Sequence, residues 1–166
     1  MFQMIMGAVV AAVLSFAPFV SQNVEKIDTV SVLALIHIES TGDERARRPN
    51  SQYYGLLQIS QAYLTDALEH EGVDAFPIEE LMGDGGLSIM VMYWYMQRYS
   101  FIHEWEPLRI ALVHKAGPNV SQEVIEASKG GCLIRAAGQS RIPSSRAYLK
   151  RFKEHREMYK EALGSI

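Results

Sequence analysis

The sequence predicts a mainly α-helical protein, a single domain preceded by an N-terminal apolar segment. Three observations predict it. Apolar residues recur at helical spacing in several stretches, helix-starting and helix-stopping residues punctuate those stretches, and Met4 to Val20 holds no ionisable side chain, the first being Glu25.

Residues 1–22 read as a signal peptide or membrane anchor, and 23–166 as the folded domain. The apolar run is at the short limit for a span, which needs about 20 residues. Ser15-Phe16-Ala17 is the best cleavage site, but Pro18 follows it directly and should hinder cutting, which favours an uncleaved anchor. No Lys or Arg precedes the run, so charge does not set its orientation. The alternative is a buried N-terminal helix. What remains is about 140 residues, near the commonest domain size and enough for a real core. Cys132 is the only cysteine, so packing rather than an intramolecular disulfide must hold the fold.

The first domain helix is expected over 26–39. Ile27, Val30, Leu33, Ala34, Ile36 and Ile38 build one wide apolar face, and Ser40-Thr41-Gly42-Asp43 ends it. A polar loop with Arg47, Arg48, Pro49 and Asn50 leads to Gly55. Ser60 is suited to cap a helix reaching about His70, and Pro77 opens a short helix over Ile78 to Met82. Leu87 to Phe101 forms a Met- and aromatic-rich helix whose large side chains, among them Met90, Trp94, Tyr95 and Tyr99, fill a core. A helix from Pro107 to His114 stops at Ala116-Gly117-Pro118, where Gly supplies a left-handed cap and Pro blocks continuation. The last helix runs from Ser145 to about Leu163, with Tyr148, Phe152, Tyr159 and Leu163 as its apolar stripe.

Charge is uneven. Lys129 to Lys160 holds nine Lys and Arg against Glu154 and Glu157, so this stretch carries +7 in a chain of net −3. Lys150 with Glu154 and Lys153 with Glu157 fit a solvated helix face. Attraction to an acidic polymer is the other use of such an arm. No nucleic-acid module is present, because basic and aromatic residues are not interleaved and the total charge is negative. His37, His70, His103, His114 and His155 show no metal-ligand spacing, and Gly83, Gly85 and Gly86 lack the strand, Lys and helix of a phosphate loop, so neither metal nor other cofactor is expected.

The chemistry concentrates at Glu39, which ends an apolar helix sixteen positions before Gly55. A carboxyl at the edge of an apolar face is partly desolvated, which favours the protonated form that a general acid needs. Asp43 and Glu44 follow closely but lie among Arg45, Arg47 and Arg48, which should keep them ionised.

Glu39-Ser40, Gly55-Leu56-Leu57-Gln58-Ile59, Ala116-Gly117-Pro118 and Tyr148 resemble, in order, the motifs of the soluble lytic transglycosylases, the goose-lysozyme-like family of wall-cleaving enzymes. The resemblance covers about residues 27 to 152; Leu81 to Tyr95 and Ile142 to Tyr148 also agree with it. It implies a lysozyme-like domain that cleaves the β-1,4 bond between N-acetylmuramic acid and N-acetylglucosamine in peptidoglycan strands. By resemblance, Glu39 protonates the glycosidic oxygen and then takes the proton of the sugar's own C6 hydroxyl, leaving a 1,6-anhydro end. Ser40 would help hold the carboxyl, Tyr54 and Gln58 would line the sugar site, Gly55 would admit a ligand close to the backbone, and Tyr148 would bond near the carboxylate. Where the family reads Tyr-Asn-Ala-Gly, this chain has His114-Lys115-Ala116-Gly117, so a donor-only cation replaces an amide. Lys115 would then meet a substrate carboxylate or point to solvent. The implied location is outside the cytoplasm, in the periplasm or cell envelope, with membrane contact through the N-terminal segment and secretion or envelope-spanning machinery as candidate partners. Two other readings stay open: a muramidase in which Asp43 or Glu44 positions water, and a non-catalytic wall-binding or assembly protein.

Overall fold

The computed structural model describes residues 2–47, 49–128 and 131–164 and is mainly helical. Two compact units divide the chain, one ending at Arg98 and the other beginning at Tyr99.

The first unit is organised around α3 (Thr29–Ser40). It starts later than the apolar spacing suggests, because Asp28 caps it: Asp28 Oδ1 accepts the Ser31 N–H at 3.0 Å and Oδ2 accepts the Ser31 hydroxyl at 2.7 Å. Its end is set by Thr41, which takes a left-handed conformation at φ 56° and donates its N–H to the His37 carbonyl. An amphipathic helix was the expectation, yet every residue from Ser31 to His37 is buried. The reason lies upstream. α1 (Phe2–Leu14) and α2 (Ala17–Asn23) pack on α3, with Val13 and Val20 fully buried. Among the described residues no helix is long and apolar enough to cross a membrane, so the anchor expected over 1–22 has no support in the fold. The apolar run breaks instead into two helices that cover α3, with Pro18 in the first turn of α2, where a missing N–H costs nothing.

A two-stranded antiparallel hairpin follows, β1 (Tyr53–Tyr54) and β2 (Ile59–Ser60), in register Tyr53 to Ser60 and Tyr54 to Ile59. Ser60 caps α4 (Gln61–Glu71) by accepting the Tyr63 N–H at 3.3 Å, as its position predicts, and Gly72 closes it in the left-handed region. The short helix after Pro77 is a 3-10 turn, Ile78–Leu81. α5 (Gly85–Arg98) packs along α4 and buries Ile89, Val91, Met92, Tyr93, Tyr95 and Met96. The helix expected to reach Phe101 ends at Arg98, which donates to the Asp66 carbonyl at 2.8 Å and pairs with Glu69 at 3.1 Å.

The second unit holds α6 (Ser100–His103), α7 (Pro107–Ser128), α8 (Leu133–Gly138) and α9 (Ser144–Gly164). α7 packs against the other three. Gly117 bends α7 at φ 76°, ψ 170°, where the stop is expected. The chain nevertheless resumes a helix, since Pro118 suits a first helical turn and Ser121 Oγ donates to the Gly117 carbonyl at 2.6 Å. α9 is a one-sided helix: Tyr148, Leu149, Phe152 and Tyr159 are buried, while Arg151, Lys153 and Lys160 are exposed. Leu163 is only half-buried, and Glu157 pairs with Lys160 at 2.7 Å.

Candidate active site

Glu39 stands in the last turn of α3, half-buried at the rim of a helix that is otherwise enclosed. Beside it lies a pair of stacked phenols. The rings of Tyr63 on α4 and Tyr95 on α5 are 3.5 Å apart at 14°. Tyr63 is 8% exposed and Tyr95 4%. Burial, then Tyr95, then the Glu39 carboxyl hold the Tyr63 phenol well above its ordinary range, so it remains a neutral O–H through the physiological range. The Glu39 carboxyl therefore has the neutral Tyr63 phenol within electrostatic reach. Sequence reading missed Tyr63 and treated Tyr95 as core filling, because the pair forms across two helices and no local spacing announces it.

Ser40, expected to hold the Glu39 carboxyl, uses its hydroxyl locally. Oγ donates to the Ile36 carbonyl at 3.2 Å and accepts the Gly42 N–H at 3.2 Å, closing the helix end. Both bonds shape the chain around Glu39.

The hairpin tip departs further from expectation. Gly55, expected to admit a ligand, has φ 68°, and a Cβ there would lie 2.6 Å from the Leu81 carbonyl oxygen. The close approach is made by the 3-10 turn. Gln58, at φ 49°, gives both hydrogens of its amide to the backbone, to the Ala46 carbonyl at 2.8 Å and the Gly55 carbonyl at 2.9 Å. The Gly55 N–H also donates to Ala46, at 3.1 Å. Gln58 is thus a clamp between hairpin and loop, and only its Oε1 remains for a sugar. Tyr54 is half-buried; the Arg47 guanidinium lies 4.4 Å from its ring centroid and donates to its hydroxyl at 2.9 Å.

Two carboxylates near Glu39 in sequence already have structural work. Asp43 Oδ1 accepts the Arg45 N–H at 2.9 Å, and Glu44 Oε1 accepts the Gly85 N–H at 2.8 Å, at the start of α5. Arg48, expected to help keep them charged, lies outside the described residues.

The remaining candidates belong to the second unit. His114 is half-buried on α7 and Lys115 is exposed. The Lys115 Nζ sits 5.4 Å from the ring centroid of Tyr148, within cation–π range. Tyr148, 2% exposed, is part of the α9 core. Among the described residues no group of three or more His, Cys, Asp or Glu is placed to hold a metal ion.

No protein-family model matches the chain, and a search of the curated proteins finds no match.

Proposed function

We propose that the protein is a peptidoglycan lytic transglycosylase in which Glu39 acts as the single general acid and base. One observation carries the reading: Glu39 is half-buried within electrostatic reach of the buried Tyr63 phenol, which stacks on Tyr95, whereas Asp43 and Glu44 accept backbone N–H groups. A hydrolytic route needs a second carboxylate to activate water or attack the sugar. A transglycosylase needs one that works twice. Glu39 gives its proton to the departing N-acetylglucosamine oxygen as the glycosidic bond breaks. The C6 hydroxyl of the muramyl residue then closes on C1, and its proton returns to the Glu39 carboxylate. The acid is regenerated and no water is consumed.

Under this reading the protein works outside the cytoplasm on glycan strands, with envelope-spanning or secretion machinery as its setting and no nucleic-acid partner. The lysozyme-like architecture and the roles of Tyr54, Gln58, His114, Lys115 and Tyr148 belong to the same proposal, supported by the order of the motifs.

Glu39→Gln tests it. The amide keeps the shape and cannot transfer the proton, so wall cleavage should fall by about 10²–10⁴ with the fold intact. Most of the activity surviving in a folded variant would remove Glu39 from the mechanism.

A further inference from the structure

Among the described residues, the loop after Glu39 carries two guanidinium groups that the reaction does not use. Arg45 and Arg47 are both exposed, and among the described residues no carboxylate pairs with either. The acidic side chains adjacent in sequence accept backbone N–H groups: Asp43 that of Arg45, and Glu44 that of Gly85 at the start of α5.

The backbone between them is pinned. Ala46 gives its carbonyl to both the Gly55 N–H and the Gln58 amide, at 3.1 and 2.8 Å, so Arg45 and Arg47 flank one doubly clamped residue. Each side chain is also seated. The Arg45 Nε lies 3.3 Å from where a Gly83 Cβ would stand, a contact that glycine leaves open, and Arg47 is stacked on Tyr54. Stacking and clamping pay in advance part of the ordering entropy that a flexible cation loses on binding, while leaving N–H edges for planar, two-pronged contacts.

We propose that Arg45 and Arg47 form a carboxylate-reading platform that recognises the free carboxylates of the peptide stems on peptidoglycan, next to the glycan bond attended by Glu39. The proposal rests on the transglycosylase reading for the identity of the polymer. Both groups are planar cations, prearranged and exposed, and among the described residues neither has an acidic partner. Wall glycan carries its carboxylates on the peptide stems and, once these are removed, on the lactyl groups.

The test uses the full chain carrying Glu39→Gln, so that strands bind without being cut. Three strands are compared: strands with native stems, the same strands with stem carboxylates converted to amides, and strands stripped of stems. Native stems should bind about tenfold more tightly than the other two, two exposed charge pairs each being worth up to about fivefold. Adding Arg45→Gln and Arg47→Gln should bring native stems down to the amidated level, and added salt should shrink the difference. Arg47→Lys should recover only part of the preference, because it keeps the charge and loses the planar fork. Equal affinity for native and amidated stems would overturn the platform. Stripped strands binding as tightly as native ones would overturn the assignment to stems and point to the lactyl carboxylate. Cleavage by the unaltered chain is scored separately: its absence would overturn the catalytic reading, and the three-strand comparison would still decide the platform.

Discussion

α3 and α9 are the two helices that carry motif residues Glu39 and Tyr148, and they are built in opposite ways. α9 shows a stripe: Tyr148, Leu149, Phe152 and Tyr159 face inward and Arg151, Lys153 and Lys160 face water. α3 shows no dry and wet side, because the segment before it covers the surface that water would otherwise reach. The difference teaches where a carboxyl side chain can be held partly out of water. A carboxyl on a striped helix would stand in water, whereas the end of an enclosed helix offers a half-buried position beside the buried Tyr63–Tyr95 pair.

The contrast can be broken at its base by removing residues 1–22, as a signal peptidase would. Val13 and Val20 are fully buried, and each is worth roughly 1.5–3 kcal/mol of burial, so the shortened chain should lose about 3–6 kcal/mol in denaturant unfolding. Unchanged stability would show that α1 and α2 do not belong to the core around α3.

A smaller effect of opposite sign is expected at the start of α9. Ser145 Oγ is buried without a hydrogen-bond partner among the described residues. An unpaired buried hydroxyl costs about 1–3 kcal/mol, so Ser145→Ala should raise the thermal midpoint. A lowered midpoint would mean that the hydroxyl has a partner.

The smallest expected effect lies further along α9, at His155. Burial, with Arg151 adding repulsion, lowers its pKa from the ordinary 6.5. The unfolded chain therefore takes up this proton first as pH drops. The folded state is undiminished above about pH 6.5 and loses stability below it, down to the lowered folded value. His155→Gln should flatten that slope in urea titrations between pH 7 and 5, and an unaltered slope would assign it to other groups.

What was legible in the sequence follows from range. Ser60 as a cap, the break at Gly117 and the stripe of α9 depend on residues within a turn or two of one another, and the structure has them there. The Ser40 hydroxyl does at the helix end what its position alone suggests. Contacts between distant segments were not legible. The apolar run over 1–22 has the composition of a leader, and only its packing on α3 makes it core. The approach of Leu81 to Gly55 and the bond from the Gln58 amide to Ala46 likewise join segments that no local spacing connects. Tyr63 meets Tyr95 only because α4 and α5 lie side by side.

The central claim is that Glu39 works without a second carboxylate, and product mass spectrometry in labelled water tests it most directly. Digested peptidoglycan should carry 1,6-anhydro muramyl ends free of solvent oxygen, and Asp43→Asn and Glu44→Gln, when folded, should yield the same products at similar rates. Reducing muramyl ends that carry the label, lost when Asp43 or Glu44 is replaced, would contradict it.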